Sequence, residues 1–267
     1  MTAAERHPRL LFSSAAFFGR PLAESMRLSA EAGYAGVEVM VTRDPASQDP
    51  RRIRQLAAGY GLEVGALHAP CLLLTRRVWG TDPVEKIYRS MEVAEEAGAP
   101  LVVMHPPFRW QRGYRIWLDE RLRSLEERTG VLVAFEYMFP VRLGRRPVTF
   151  HSNQDLDDLD RFDDLVLDTS HAAVAGHDLL EVRGRFGDRL RHVHLSDNAG
   201  KGWDSHLPPG EGVLDLDVFL TELAAAGYRG DVTLEVDLRR QAEDPRVLRD
   251  VMVEMRERTE ALLTAPV

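Results

Sequence analysis

The 267-residue sequence predicts an α/β protein folded as a closed (β/α)₈ barrel, the TIM barrel fold. Short apolar runs alternate with longer segments of helical periodicity, in the order expected of eight strand–helix units, of which the fifth has an irregular connection in place of a predicted helix. The central runs are apolar almost throughout, which is typical of parallel strands buried on both faces. Because barrels of this kind routinely reach roughly 200–250 residues as one unit, we expect residues 1–267 to form a single domain.

The strands are expected at the apolar runs and the helices at the amphipathic segments between them. The predicted strands are residues 9–13, 36–40, 62–68, 101–105, 131–136, 165–168, 191–195 and 231–237. The predicted helices are residues 21–33, 50–60, 81–98, 114–130, 178–187, 216–227 and 245–263. Between the fifth and sixth strands we expect a long irregular connection that contains proline and arginine.

The clearest helix signal lies at residues 81–98. Asp82 is a candidate N-cap, Pro83 suits the first turn, and Gly98 suits the end of the helix. Four residues spaced i, i+3, i+4 and i+7 are expected to form its buried apolar face: Val84, Ile87, Tyr88 and Met91.

A doubly wound open sheet is the alternative fold. Such sheets usually carry a glycine-rich phosphate-binding turn after their first strand. The corresponding segment here, SSAAFFG at residues 13–19, is not such a turn. The sequence therefore favours the closed barrel.

The composition excludes several classes of protein. A net charge of −8 argues against a general nucleic-acid binder, which normally presents a basic face. The lone cysteine, Cys71, cannot form an internal disulfide, and no apolar run reaches the roughly 18 residues of a membrane span. We therefore expect a cytoplasmic protein without a membrane segment.

Metal-binding residue types stand at the ends of the predicted strands. Active sites of (β/α)₈ barrels lie at the carboxyl ends of the strands. From the third strand onward, these ends carry His68, His105, Glu136, Asp168, His194 and Glu235, and Glu38 lies near the end of the second. A lone histidine or aspartate at such a point is usually structural, and Asp168 also suits a helix cap. Six polar groups in one cavity would be costly without a partner, so a bound divalent metal is the simplest interpretation.

The remaining histidines are given structural interpretations. His7 lies near the amino terminus, and His151 and His177 lie in surface connections. His192 precedes His194 by two residues, so on a strand it points to the same side, one layer deeper, where it can orient a ligand or simply pack.

Eight sequence motifs, all between residues 33 and 237, support a family resemblance. They are GYAGVEV (33–39), LHAP (67–70), VVMHPP (102–107), AFE (134–136), LDTSH (167–171), HVHLSD (192–197), HLPPGEG (206–212) and TLEVD (233–237). Their order and content resemble the xylose-isomerase-like barrels, which include sugar-phosphate isomerases and epimerases, hydroxypyruvate isomerases and endonuclease IV.

The resemblance implies a metal centre of one or three ions. In the single-metal isomerases the matching ligands are Glu136, Asp168, His194 and Glu235, with His171 contacting the substrate. Endonuclease IV has two further metals, whose additional ligands match His68, His105, His171, Asp204 and His206. All of these positions hold a suitable residue, so the ligand set alone leaves both possibilities open.

Other features favour the isomerase side of the family. The first-strand segment FSSAAFFG lacks the histidine of endonuclease IV, and the negative charge suits DNA poorly. Within the isomerase side, however, the segments SDNAGKG and YMFPVRLGRR depart from the pattern of the ketose 3-epimerases. The expected substrate is therefore carbohydrate-like, without a commitment to a free ketose.

The expected reaction is proton transfer beside a carbonyl group. Glu136 and Glu235 are the predicted acid and base on opposite faces of the substrate, and His171 stabilises the developing oxyanion. Mn²⁺, Mg²⁺ or Co²⁺ suits the oxygen-rich ligand set, and Zn²⁺ suits the additional histidines. The residues predicted to contact the substrate are Glu38, Lys201 and Trp203.

Three other functions remain open at this stage. They are a multi-zinc phosphodiester hydrolase, a lyase or dehydratase that uses the same enolate chemistry, and a non-catalytic binding protein. Homo-oligomerisation is also left open, whereas a nucleic-acid partner is not expected.

Overall fold

The computed structural model describes residues 8–71, 75, 77–143, 146–151, 156, 158–239 and 244–264, and within them eight parallel strands close into a barrel. The barrel strands are β1 (Leu10–Ser13), β2 (Gly36–Met40), β3 (Glu63–His68), β4 (Leu101–Met104), β5 (Leu132–Glu136), β8 (Leu165–Asp168), β9 (Leu190–Leu195) and β10 (Asp231–Leu234). Closure comes from β1, which pairs with both β2 and β10. The predicted closed (β/α)₈ barrel is confirmed.

The helices pack around the outside of this barrel. They are α1 (Leu22–Glu31), α2 (Pro50–Tyr60), α3 (Pro83–Ala97), α4 (Arg112–Thr129), α5 (Thr169–Ala175), α6 (Leu179–Phe186), α7 (Leu216–Ala225) and α8 (Pro245–Leu263). No helix in the described ranges is both long enough and apolar enough to span a bilayer.

Side chains alternate between the barrel interior and the layer under the helices, as the period of two along a strand requires. In β5, Val133 and Phe135 belong to the large core between strands and helices, whereas Ala134 belongs to a small separate cluster. That small cluster also contains Ala66, Leu101, Val103 and Val166. The next residue on the same side of β5 is Glu136. An apolar layer therefore lies beneath the polar strand ends.

The structure corrects the sequence prediction in three places. The irregular connection after β5 contains an antiparallel hairpin, formed by β6 (Val141–Leu143) and β7 (Arg146–Val148). Helix α5 begins directly after β8 and was not predicted. Helix α3 has the predicted cap at Asp82 and ends at Gly98 with a φ of 85°, but Tyr88 is 41% exposed and stacks edge-on against Trp117. Tyr88 therefore lies at the edge of the apolar face.

Candidate metal centre

Four side chains from consecutive strands converge at the carboxyl end of the barrel: Glu136, Asp168, His194 and Glu235. Their candidate ligand atoms all lie within 4.8 Å of one another. Nδ1 of His194 is 2.9 Å from Oε1 of Glu136 and 2.8 Å from Oε2 of Glu235. These four residues, predicted as one ligand set, therefore lie around a common point.

Three buried oxygens of this group accept no hydrogen bond from any described residue: Oε2 of Glu136, Oδ2 of Asp168 and Oε2 of Glu235. Nε2 of His105 approaches the first of them to 3.0 Å, but without the direction that a hydrogen bond requires. Buried carboxylate oxygens without a partner are costly. A divalent cation at the point where they converge would satisfy all three, so the residues present fit a metal ion.

Asp168 connects the centre to the start of α5. Its Oδ1 accepts a hydrogen bond of 2.9 Å from the backbone N–H of His171, which caps the helix, while Oδ2 faces the candidate centre. Asp168 can therefore cap the helix and be a candidate metal ligand at the same time, because its two carboxylate oxygens point in different directions.

Glu38 and His192 lie beneath the central group and are fully buried. Nε2 of His194 donates to Oε2 of Glu38 at 3.0 Å, and Nε2 of His192 lies 2.9 Å from the same oxygen. The bond to Glu38 leaves Nδ1 of His194 directed at the carboxylates. In the structure the carboxylate of Glu38 contacts these two histidines, and its predicted contact with a substrate stays a prediction.

Two further groups of metal-binding residue types flank the central one. On one side, Nε2 of His68 and of His105 lie 3.4 Å and 3.0 Å from Oε2 of Glu136. On the other side, Oδ2 of Asp204 lies 3.4 Å from Nε2 of His171 and 2.7 Å from Nε2 of His206. Every additional ligand position named from the sequence therefore adjoins the central group.

Backbone carbonyl groups orient three of the flanking histidines. Nδ1 of His68 donates to the carbonyl of Ala69 at 2.9 Å, and Nδ1 of His171 donates to that of Tyr137 at 2.8 Å. His206 donates in the same way to Glu235 at 2.9 Å. In the neutral ring this bond leaves Nε2 as an acceptor that faces the carboxylates. Protein metal sites commonly orient their histidine ligands in this way.

The packed charges shift the pKa values of these groups strongly. Burial opposes the charged form of His171, but Asp168, Asp204 and Glu136 raise its pKa to about 10. Burial raises the pKa of Asp168 to about 6, against the opposing effect of His171 and His206. For Glu136, the attraction of His171 and His194 outweighs burial and lowers the pKa well below its ordinary value. Such mutual dependence is typical of a site with several interacting ionisable groups.

The loop after β9 is held in place by the buried carboxylate of Asp197. Its oxygens accept hydrogen bonds of 2.8–3.0 Å from four backbone N–H groups, those of Asn198, Gly210, Gly212 and Leu214. Asp197 also forms a short antiparallel bridge with Leu207. His206, the residue before this bridge, has a φ of 42°, which is unusual for a non-glycine residue. The loop therefore presents Asp204 and His206 in a fixed conformation.

A family model described as xylose isomerase-like TIM barrel matches residues 26–257 of the chain. The protein belongs to this family.

Relatives within the xylose isomerase-like family include proteins with and without a named activity. An uncharacterized protein of Mycobacterium leprae is 40% identical over 230 residues, covering 78% of this chain and 81% of the relative. A 3-dehydroshikimate dehydratase of Pseudomonas aeruginosa is 30% identical over 234 residues, covering 80% of this chain and 36% of the dehydratase. A crystal structure of a D-tagatose 3-epimerase-like protein aligns with a TM-score of 0.69 at 24% identity, covering 95% and 98% of the two chains. At this identity, the structural likeness shows the shared fold.

Some residues near this centre in the xylose isomerase-like fold escaped sequence reasoning. His151, assigned to a surface connection, donates to the carbonyl of Pro106 and lies with its ring 6.0 Å from that of His105. The SD pair after HVHL was visible in the sequence, but the role of Asp197 in holding the loop was not inferred. Lys201 and Trp203 are exposed on that loop, and their contact with a substrate stays a prediction. His7 lies outside the described residues.

Proposed function

We propose that this protein is a divalent-metal-dependent isomerase or epimerase that acts on carbohydrate-like hydroxy-carbonyl compounds, including sugars and sugar phosphates. The observation that carries the proposal is the buried group of three carboxylates and one imidazole, in which one oxygen of each carboxylate accepts no hydrogen bond from the described residues. An oxygen-rich set of this kind suits a hard or borderline divalent ion. The family match and the epimerase-like structural neighbour are consistent with this reaction class.

Glu136, Asp168, His194 and Glu235 would hold the ion. A divalent cation at this position supplies Lewis-acid stabilisation of negative charge on a substrate oxygen. The oxygen-rich set favours Mn²⁺, Mg²⁺ or Co²⁺, and participation of the flanking histidines favours Zn²⁺.

The remaining steps are assigned to side chains of this chain. Glu136 and Glu235 lie on different strands, one on each side of His194, and we assign them removal and return of the proton next to the carbonyl group. His171 donates from Nδ1 to the carbonyl of Tyr137, and the neighbouring carboxylates raise its pKa to about 10. The protonated ring therefore also has an Nε2–H that can donate to the oxyanion as it develops. Glu38 maintains the orientation of His194 through the bond to Nε2.

The direct test is exchange of a substrate proton with solvent. Metal-loaded protein is incubated in D₂O with a panel of ketoses and their phosphates, and loss of the α-proton signal is followed by NMR. We expect metal-dependent exchange that falls by at least about 100-fold in Glu136→Gln and in Glu235→Gln. Metal content is measured for each variant, and Glu120→Gln on the exposed face of α4 is the matched control. Exchange that persists in both carboxamide variants would contradict the assignment.

A multi-metal phosphodiester hydrolase is the second candidate. The observation that favours it is the orientation of His68, His171 and His206 by backbone carbonyls, which directs each Nε2 toward a carboxylate of the cluster. The three contiguous groups of residues would hold up to three ions, which would supply activation of water for attack on a phosphodiester. The net charge of −8 argues against a nucleic acid as the substrate.

Metal stoichiometry separates the two candidates. Purified protein is saturated with Zn²⁺ or Mn²⁺, desalted and analysed for metal per chain. The isomerase proposal predicts one tightly held ion and no cleavage of a phosphodiester such as bis(4-nitrophenyl) phosphate. Close to three ions per chain together with phosphodiester cleavage would replace it by the hydrolase.

The dehydratase relative supports a third outcome in the same chemical class. Loss of water after removal of an α-proton uses the same carboxylates as isomerisation. The match covers 80% of this chain and 36% of the dehydratase. Formation of a conjugated enone, followed by ultraviolet absorbance, distinguishes dehydration from isomerisation in the same substrate panel.

A further inference from the structure

A cavity lies beside the candidate metal centre, between the segments that follow β3 and β4. It has a volume of about 360 Å³, which lies within the range of small-molecule sites. His105 belongs to both places: its ring lines the cavity, and its Nε2 lies 3.0 Å from Oε2 of Glu136. A ligand in this cavity would therefore lie next to a group bound at the metal centre.

One side of the cavity is aromatic. The rings of Phe108 and Trp110 are parallel, with centroids 4.8 Å apart and an interplanar angle of 2°. His151 stacks against Phe108 at 4.5 Å. Trp110 is 66% exposed, so its ring stands at the entrance. Flat aromatic faces of this kind cover a carbon framework and exclude water from it.

A buried hydroxyl group without a partner also lines the cavity. Tyr114 on α4 is 5% exposed, and its hydroxyl forms no hydrogen bond with any part of the chain that the structure describes. A buried hydroxyl group in this state has lost its hydrogen bonds to water without replacement, which is energetically unfavourable. A ligand that brings an acceptor atom to this hydroxyl would remove that cost.

The same wall carries a positive charge. Lys86 on α3 is 5% exposed and donates to the carbonyl of Pro70. Cys71 adds no negative charge, because burial raises the pKa of its thiol to about 11. Although the chain has 42 acidic residues, none is among the described residues that line the cavity. The lining is therefore suited to an anion.

We propose that this cavity is the subsite for a small anionic group, a carboxylate or a phosphate, at the end of the substrate remote from the reacting carbonyl. Lys86 is the charge partner and Tyr114 the hydrogen-bond donor, and the Phe108–Trp110 wall covers the carbon chain between the two ends. The link to a reacting carbonyl rests on the proposed function, whereas binding of the anion does not depend on it. Such a subsite would narrow the substrate class from hydroxy-carbonyl compounds in general to those with a terminal anion.

Binding of the anion can be tested without knowledge of the reaction. The chain has only two lysines, Lys86 and Lys201, so ¹⁵N-lysine labelling yields two side-chain ammonium signals, which Lys201→Arg assigns. Mg²⁺-saturated protein is titrated with inorganic phosphate in one experiment and with acetate in another, and dissociation constants are measured by calorimetry. We expect a saturable shift of the Lys86 signal with at least one anion. Affinity for that anion should fall about 10–100-fold in Tyr114→Phe, because a hydrogen bond to a charged group is lost.

The phosphate and acetate titrations show which anion the protein binds. The Tyr114→Phe and Lys86→Met variants show whether it binds in this cavity. Unchanged affinity in both Tyr114→Phe and Lys86→Met, or no binding of either anion, would overturn the subsite. Tyr114→Phe removes only one oxygen and keeps the ring, so it remains informative if Lys86→Met fails to fold.

Turnover separates the subsite from the proposed function. With an anion-terminated substrate, Tyr114→Phe should raise KM about 10–100-fold with little change in kcat, and a neutral ketose should show no such change. Anion binding without proton exchange on any substrate would support the subsite and reject the isomerase. Proton exchange on neutral ketoses alone, without anion binding, would support the isomerase and reject the subsite.

Discussion

Among the single residues of the centre, Asp168 and His194 each use one polar atom for a structural contact and direct another toward the candidate metal position. Asp168 caps α5 with one oxygen and faces the centre with the other. His194 donates through Nε2 to Glu38 and presents Nδ1 to Glu136 and Glu235. Both residues are therefore oriented by a second contact that leaves one atom directed inward.

Replacing Glu38 by Gln tests the support beneath His194. The amide keeps the size of the side chain but removes the charge that holds Nε2 of His194 and of His192. Loss of such an orienting partner typically weakens metal binding about 10–100-fold. We expect this decrease in a competition titration with a metal-indicator dye.

Glu24→Gln on α1 is the matched control, because Glu24 pairs with Arg20 away from the centre. Equal metal affinity in the wild type and in Glu38→Gln would show that His194 needs no such support.

At the scale of elements, the loop after β9 explains the combination of SD and PGEG in the sequence. Asp197 gathers backbone N–H groups from both ends of the loop. Gly212 is required because a Cβ there would lie 2.2 Å from Oδ1 of Asp197 and 2.4 Å from the carbonyl oxygen of Asn198. Close approach, and not a positive φ, selects glycine at this position.

Gly212→Ala is therefore expected to disturb the loop. The added methyl group must displace the Asp197 carboxylate, which should lower the free energy of unfolding by about 1–3 kcal/mol. Gly113→Ala is the control, because no atom lies within 4 Å of its added Cβ in α4. That variant should be neutral or up to about 1 kcal/mol more stable. Equal stability of the two variants in urea denaturation would contradict this account.

The junction between α4 and β5 contains a carboxyl group with a displaced pKa. Burial raises the pKa of Glu126 to about 7, against the effect of the hydrogen bond that it accepts from the N–H of Val133. Because the folded pKa lies above the ordinary value of 4.5, the folded state binds the proton more tightly than the unfolded state. The contribution of Glu126 to the free energy of unfolding is therefore greatest below pH 4.5, and it decreases as the pH rises to about 7.

Glu126→Gln should remove this pH dependence. The amide oxygen can still accept from Val133, and no carboxylate needs to ionise in a half-buried position. At pH 8 we expect the variant to be more stable than the wild type by roughly 1 kcal/mol after allowance for solvent screening. At pH 4.5 the difference should disappear. Parallel thermal melts at the two pH values measure it, and a constant difference would show that ionisation is not its cause.

At the scale of the whole molecule, the centre concentrates ionisable groups in the mouth of an otherwise apolar barrel. Glu136 alone lies close to side chains from β3, from the residue that follows β4, from α5 and from β9. A bound cation would compensate the carboxylates of several strands at once. Metal binding should therefore stabilise the entire barrel and not only one loop.

Removal of metal should accordingly lower the melting temperature. An ion present at 100 times its dissociation constant stabilises the folded state by about 2.7 kcal/mol, which corresponds to roughly 5 °C or more for a chain of this size. EDTA should produce this decrease, and Mn²⁺ or Zn²⁺ should reverse it. Asp168→Asn should show a much smaller response. A wild-type melting temperature that stays constant while metal analysis records its loss would refute a stabilising centre.

The barrel and the residues at its mouth could be predicted from the amino-acid sequence. Alternation along strands such as LVAFE and HVHL identifies the inward positions, and the parallel arrangement brings all strand ends to one side. These are local patterns repeated in a regular fold, so they can be read without coordinates. The same reasoning left out the hairpin after β5, helix α5 and the loop-holding role of Asp197.

Which atoms come into contact depends on the folding of distant segments against one another. The contact of Glu38 with His194 joins residues 156 positions apart, and the cavity joins Lys86 on α3 to Tyr114 on α4. Buried oxygens without partners and rings oriented by carbonyl groups depend on distances and directions that no residue pattern contains. The sequence therefore predicts a ring of candidate ligands, and packing decides which nitrogen and oxygen atoms of that ring face a common point.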